Sequence, residues 1–235
     1  MTQIDHTIPG EKWEFDAGVT EVFEDMLERS IPGYCAMRDS VNKLAQQFRQ
    51  PNTAIVDLGC SRGDALAPLH ESAQMFNSFV GVDISGPMLD VARHRFLNHP
   101  EVKIKKLDLR TSYPEAEASV TLCVLTLAFV PIEYRWRILA DAYRATRPGG
   151  VLIVVEKILG SGPRLNSVFV DTYLGMKAEH GYTGEEIERK RLSLEGVLVP
   201  LSAAQNMDML RGVGFAEVDT FWRHLNFAGF IAVKS

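Results

Sequence analysis

Between Thr53 and Glu156 the chain repeats one pattern: a short apolar run, a polar or glycine-rich break, then a stretch with apolar residues three and four apart. No other feature restricts the fold so strongly. Short strands joined by crossovers of ten to fifteen residues are expected to run parallel, and a parallel sheet needs helices on both faces. The runs are Ala54–Val56 leading into Asp57-Leu58-Gly59, then Phe79–Asp83, Val102–Lys106, Ser119–Leu125 and Val151–Glu156. The last, VLIVVE, is apolar at all but its final position, which suits a strand buried on both faces. Helices are expected over Ala65–Met75, over Pro87–Phe96 with its proline in the first turn, and over Ile132–Ala145. Arg147-Pro148-Gly149-Gly150 should break the chain before the fifth strand.

The flanks read differently. Val19, Val22, Phe23, Met26 and Leu27, then Met37, Val41, Leu44 and Phe48, describe two amphipathic helices split at Ile31-Pro32-Gly33. Pro163 to Pro200 contains no strand pattern and carries helical periodicity at Ser167–His180 and Thr183–Leu194, so it reads as an inserted cap. A helix at Ala203–Gly212 and strands at Ala216–Trp222 and Phe227–Lys234 close the chain, and the short link between those strands makes them antiparallel. The expected fold is α/β: a Rossmann-like, seven-stranded sheet, mostly parallel with one antiparallel closing strand. Residues 1–235 read as one domain, with N-terminal helices within 1–50 and the cap within 160–201.

Composition narrows the function. Apolar residues make up 46% and charged residues 23%, with a net charge of −5 and pI near 5.7. There is no basic field to attract a phosphate backbone, so nucleic acid is not an expected partner. No apolar run approaches the roughly 20 residues that cross a bilayer, and no leader pattern opens the chain, so a cytoplasmic protein without membrane contact is expected. Cys35, Cys60 and Cys123 are odd in number and far apart, which reads as reduced, mostly buried thiols. Asp57, Asp83 and Asp108 each end a different strand and do not form a hard-cation site, so no metal is expected.

In an open parallel sheet the ligand sits beyond the carboxyl ends of the strands. The first strand ends in DLGCSRGDA, which places Gly59 and Gly63 in a turn with backbone amides free to receive a ligand. The second ends in Asp83, 24 residues after Gly59, where a nucleotide-binding sheet supplies an acid for ribose hydroxyls. A third glycine for G-x-G-x-x-G is missing. Asp57 would repel a diphosphate and can pair with an ammonium, so a ligand with an amino-acid end fits better.

D-x-G-C-x-x-G, the acid ending strand two, Asp108-Leu109 after strand three and the P-G-G turn resemble the class I S-adenosylmethionine-dependent methyltransferases from about Thr53 to Ser235. The resemblance implies that Gly59, Cys60 and Ser61 line the methionyl end of the cofactor, that Asp83, followed by Ile84, holds the ribose, and that Asp108 and Leu109 contact adenine. A closer resemblance covers the whole chain: WEFDAGVTEVFEDMLERSIPGY, DLGCSRG, GYTGEEIERKR and LNFAGFIAVK are similar to the carboxy-S-adenosylmethionine synthase family. That family carboxylates S-adenosylmethionine with prephenate, for tRNA wobble-uridine modification. It implies ligand roles for Tyr34 and Arg191, and an Arg fork suits a carboxylate. Two positions depart from the family: Val124 stands in place of a ligand-contacting Asn, and Arg62 in place of a Leu. Losing the amide removes a polar contact of about 1 kcal/mol or more.

The expected activity is therefore methyl transfer from S-adenosyl-L-methionine to a small, anionic molecule, leaving S-adenosyl-L-homocysteine. Synthesis of carboxy-S-adenosylmethionine is the alternative, and a non-catalytic cofactor-binding module a third reading. Asp57 and Val124 join the expected cofactor contacts. Tyr34, Arg191, Tyr173 and His180 are the catalytic candidates, with Tyr182 beside them in the cap. Glu156-Lys157, at the end of strand five, reads equally as a substrate contact or a solvated pair. Arg189 and Lys190 read as solvated charges, Cys60 as packing, His224 as distant, and His6, His70, His94 and His99 as solvated. The N-terminal helices, with Phe15, Val19, Phe23 and Leu27, are expected either to close the pocket or to form a homodimer interface.

Overall fold

The computed structural model describes residues 4–72 and 77–235, and within them the alternating pattern builds one sheet. In chain order the elements are α1 (Ala17–Glu21), α2 (Phe23–Ser30), α3 (Tyr34–Phe48), β1 (Ala54–Leu58), α4 (Leu66–Glu71), β2 (Ser78–Asp83), α5 (Gly86–Arg95), β3 (Val102–Lys106) and β4 (Ala118–Val124). A 3-10 turn at Leu127–Phe129 then leads to α6 (Ile132–Ala145) and β5 (Thr146–Leu159). There follow α7 (Pro163–Glu179), α8 (Gly184–Ser193), β6 (Leu201–Ser202), α9 (Ala203–Gly212), β7 (Glu217–His224) and β8 (Phe227–Val233). The last residues of the helix expected at Ala65–Met75 lie outside the described residues.

The strand order is β3-β2-β1-β4-β5-β8-β7, with two-residue β6 pairing β5 off this path. Strands β1 to β5 pair in parallel, and β8 runs antiparallel to both β5 and β7. The closing strand is thus inserted between β5 and β7 rather than placed at the edge, and β6 is an addition to the seven expected strands. Order reverses at β1, which β2 and β3 flank on one side and β4 and β5 on the other. That reversal opens a crevice at the carboxyl ends of β1 and β4.

Two cores form because successive side chains on a buried strand face opposite ways. Val56, Leu58, Leu152 and Val154 pack with Ile138, Leu139 and Leu210 on one face. Ile55, Ile153 and Val155 pack with Met37, Val41, Leu66 and Leu69 on the other. Each such side chain contributes about 1.5–3 kcal/mol on burial.

Several boundaries depart from the sequence reading; β5 runs on to Leu159 and α7 opens already at Pro163. The first helix breaks at Val22 into α1, capped by the Asp16 carboxylate accepting the Val19 amide at 2.9 Å, and α2. The stretch Arg147–Gly150 does not end before the fifth strand but is absorbed into β5, where the pairing with β4 shifts register between Ala118 and Val120. Strand β7 runs two residues further than expected, to His224, because Arg223 and His224 find antiparallel partners in Ala228 and Phe227. Among the described residues no helix is long and apolar enough to cross a membrane.

Candidate functional site

Beyond the carboxyl ends of β1, β2, β4 and β5 lies a cavity of about 320 Å³. Its floor is the turn after β1. Gly59 (φ +79°) and Gly63 (φ +75°) both have left-handed backbone. A Cβ on Gly59 would stand 2.3 Å from Thr126 Oγ1, and one on Gly63 2.7 Å from the Phe96 ring. Both glycines therefore serve packing as well as the turn expected of them. Ser61 (φ +46°) and Leu125 (φ +58°) hold the same strained conformation without being glycine, and both line the cavity.

Asp57 ends β1 on the cavity wall. It is 2% exposed, and its Oδ2 has no hydrogen-bond partner among the described residues. Burial pushes its carboxyl up to about 7, against the pull of Arg38, with Asp83 and Asp64 adding repulsion. Asp83 ends β2 and accepts the backbone amides of Ser61 and Ser85, each at 2.9 Å. That pair of bonds ties the β1 turn to the β2 turn. Asp108 is gripped by Arg110, whose Nη2 donates at 2.7 Å, and the hydrogen bond holds the carboxyl below its usual range. Gly59, Cys60, Ser61, Asp83, Ile84, Asp108, Leu109 and Val124 all line the cavity, as does Tyr34. Burial raises the Cys60 thiol far above its usual range, so it is inert packing here.

The roof comes from both flanks. Trp13, Phe15, Phe23, Met26 and Leu27 line the cavity from the N-terminal side, and Tyr173, Lys177, Lys190 and Leu194 from the cap. The two flanks are joined. The Trp13 amide donates to the Ser193 carbonyl at 3.0 Å, and Arg29 donates to the carbonyls of His180 and Asp5 at 2.8 and 3.0 Å. Arg29 also lies over the Tyr182 ring at 4.0 Å, and the Tyr182 hydroxyl donates to the buried Asp5 carboxylate. Lys190 pairs with that same carboxylate. Burial opposes ionisation of Asp5, yet the bonds from Lys190, Tyr182 and the Thr7 amide outweigh it and hold the carboxyl below its usual range. The apolar stripe of α1 and α2 is thus spent within the chain: Val19, Val22, Phe23 and Met26 are buried.

Several sequence expectations are corrected. Arg191 does not reach the cavity in this chain, because Glu188 at 2.8 Å and Glu195 at 2.7 Å hold its guanidinium at the surface. His180 is exposed and turned to the Arg29 carbonyl at 3.0 Å. Tyr182 is buried and is not among the residues that line the cavity. Lys190, read as a solvated charge, is 3% exposed and lines the cavity. Glu156 is no solvated group either: buried at 2%, it accepts the amides of Leu127 and Ala128 at 2.7 and 3.0 Å, and burial raises its carboxyl to about 7. Arg62 faces Glu24 and Asp64 rather than the cavity. His70 is half-buried against Phe79 and Phe96 and bonds Glu101 at 2.5 Å. With His99, these side chains place ligand atoms within 4.8 Å of one another, at the amino end of β3 and away from the cavity. His6 pairs with Glu186 at 3.0 Å.

Sequence reasoning missed Arg38, Asp64, Lys177 and Trp13, all of which line the cavity, whereas Phe15, Phe23 and Leu27 close it as one of the two expectations for the N-terminal helices had it. Arg38 lies one helical turn after Tyr34 on α3, and that spacing is the signal that could have found it.

The residues present fit S-adenosylmethionine. A buried carboxylate oxygen with no partner among the described residues can accept from a donor such as an ammonium, next to the Gly59–Ser61 turn that lines the same cavity, with a second strand-end acid beside it. Comparison with known proteins agrees. Residues 55–150 match the model of a methyltransferase domain. The carboxy-S-adenosyl-L-methionine synthase of Methylococcus capsulatus is 38% identical over 224 residues, covering 94% of this chain and 93% of the relative. Among solved structures, an O-methyltransferase family protein from Burkholderia thailandensis superposes with a TM-score of 0.63 at 19% identity, covering 94% of this chain and 61% of that one. Human N-acetylserotonin methyltransferase, solved in complex with SAM, gives 0.61 at 16% identity, covering 93% and 55%.

Proposed function

The chain belongs to the carboxy-S-adenosyl-L-methionine synthase family, enzymes on the S-adenosylmethionine-dependent methyltransferase fold, and from that premise we propose that it carboxylates S-adenosylmethionine, with prephenate as donor. One observation carries the reading. The methyltransferase domain match stops at residues 55–150, whereas the synthase likeness spans 94% of the chain and so includes the N-terminal helices and cap that roof the cavity. The sheet holds the cofactor in any such enzyme; the roof selects what meets it.

S-Adenosylmethionine supplies a sulfonium whose methyl group takes the carboxyl. Over the whole reaction prephenate gives up CO₂ to the methyl carbon. Its ring hydroxyl leaves with one methyl proton as water, and aromatic phenylpyruvate remains. The chain's own part is binding and orientation. Asp57 takes the methionyl ammonium, Gly59, Cys60 and Ser61 pass their backbone along the methionyl chain, Asp83 holds the ribose, and Asp108 with Leu109 and Ile84 frames the adenine. Tyr34 and Val124 face the reacting end. Trp13, Phe15 and Phe23 exclude water, which strengthens each polar contact beneath them. Residues 1–50 and 160–201 act as two halves of one lid on a single domain.

The test is mass spectrometry of the cofactor after incubation with prephenate. A product heavier than S-adenosylmethionine by one CO₂, with phenylpyruvate released, is expected. A second reading, methyl transfer to a small anionic acceptor, rests on Val124 lining the cavity where the family's Asn is absent. It gains the field if S-adenosylhomocysteine accumulates and no carboxylated cofactor forms.

A further inference from the structure

The charges lining the cavity are unevenly placed. Asp57, Asp64, Asp83 and Asp108 stand at the strand tips with Arg38 and Arg110 among them, Glu156 of β5 is buried against backbone amides, and under the cap stand Lys157, Lys177 and Lys190. Of the three lysines only Lys190 has a carboxylate, that of Asp5. Among the described residues no carboxylate lies within ion-pair distance of Lys157 or Lys177. Lys177 is 6% exposed, comes from α7 and lines the cavity. Lys157 comes from β5, beside Phe227 of β8. Their ammonium groups lie 4.9 Å (Lys157) and 5.8 Å (Lys177) from the centre of the Tyr173 ring, which packs on Phe227 at 5.6 Å.

A wall that served packing alone would not keep two ammonium groups there, since an unpaired buried charge is costly and an apolar residue of similar volume is not. Burial depresses both amines to about 8, and for Lys177 the neighbouring charges of Lys190 and Lys157 add to the effect. What such a wall lacks is anionic charge. Lys supplies compact point charges rather than a planar fork, so two separated carboxylates answer it better than one bidentate group. Tyr173, Phe227, Ile31 and Leu125 line the cavity beside those charges as an apolar wall.

We propose that Lys157 and Lys177, together against Tyr173, form the receptor for a small dianionic acid, each ammonium holding one carboxylate and the apolar wall holding its ring. The assignment rests on the reading of the acidic end as the S-adenosylmethionine end, which orients the acid toward the sulfonium. Retention of these charges exchanges stability for binding.

Titration calorimetry of prephenate into protein saturated with S-adenosylhomocysteine tests this, with Lys157→Met, Lys177→Met and an Arg189→Ala surface-charge control. Each Lys→Met variant weakens prephenate at least tenfold, leaves S-adenosylhomocysteine affinity within twofold and raises the melting temperature. The control changes none of these. Prephenate affinity unchanged in both lysine variants overturns the receptor, as does an equal loss in the control. Inorganic phosphate competing as well as prephenate overturns the dianionic-acid assignment. Mass spectrometry keeps the two readings apart. Carboxylated product from variants with unaltered prephenate affinity leaves the proposed function standing and the receptor refuted. Lysine-dependent prephenate binding without any carboxylated product does the reverse.

Discussion

The two ends of the cavity are built on opposite terms. The acidic end stands on strand tips: Asp57 and Asp83 follow directly from β1 and β2, and the turn between Gly59 and Gly63 is held by Thr126 and Phe96 packed where a side chain would be. The basic end is assembled from three distant elements, β5, α7 and α8, whose lysines meet only because the cap folds over the sheet. Among the described residues, one end keeps a carboxylate oxygen without a hydrogen-bond partner, and at the other Lys157 and Lys177 have no acid within ion-pair distance while Lys190 has Asp5. Each lacks what a zwitterionic sulfonium or a dianion brings. A rigid end suits the ligand common to the fold, and an end borrowed from the flanks lets a family change the second substrate.

The comparison is exposed most severely at Asp57. Asp57→Asn should weaken S-adenosylhomocysteine by about 30-fold to 5,000-fold, the range for truncating one member of a buried charge pair. Calorimetry returning less than a threefold change would remove the ammonium from that end. At Gly59 the effect is on folding: Gly59→Ala combines a left-handed backbone with a Cβ 2.3 Å from Thr126 and should lower unfolding free energy by about 2 kcal/mol or more in urea titration.

The pH dependence of the free protein separates the ends by sign. Asp57 and Glu156 have native values near 7, above their unfolded 3.8 and 4.5, so between those limits the native state binds more protons. Their contribution is full at low pH and is lost as pH rises toward and through 7. Lys157 and Lys177 have native values near 8, below the unfolded 10.5, so the unfolded state binds more protons and stability is regained from about 8 to 10.5. Thermal melts should therefore show a minimum between the two windows, shallower with S-adenosylhomocysteine bound. A flat profile across both windows would show that neither end carries uncompensated charge.

Lys177→Met should raise the melting temperature by about 2–4 °C, the shift for roughly 1 kcal/mol in a chain of this size. Destabilisation would mean an acidic partner holds that amine. The smallest effect is at the surface: Arg191→Ala, which removes exposed pairs with Glu188 and Glu195, should change stability by less than about 0.5 kcal/mol and leave S-adenosylhomocysteine affinity unaltered.

How much of this the sequence shows follows the same division. Strands β1 to β5, helix α6 and the antiparallel β8 are legible because hydrophobic period and glycine placement are local signals. The strand-end acids are legible because in a parallel sheet a residue's place at the carboxyl end follows from its place in the run. Glu156 stayed undecided between a substrate contact and a solvated group because nothing local announces that the amides of Leu127 and Ala128 will turn toward it. Arg191 was misplaced because a basic residue on a short helix faces whichever way its neighbours send it, and here Glu188 and Glu195 sit one turn to either side.

The amino-acid sequence by itself determined the strands, their parallel sense and the acids at their ends, since each depends on residues close in the chain; the order in which the strands pair came from the tertiary structure. Only the tertiary structure decided that Lys157, Lys177 and Lys190 share one wall, that Asp5 neutralises the last of them, and that the N-terminal helices are spent on the roof. Periodicity encodes which face of an element is apolar. It does not encode which charged side chains, tens of residues apart, the closing of those faces will leave together beyond the reach of water.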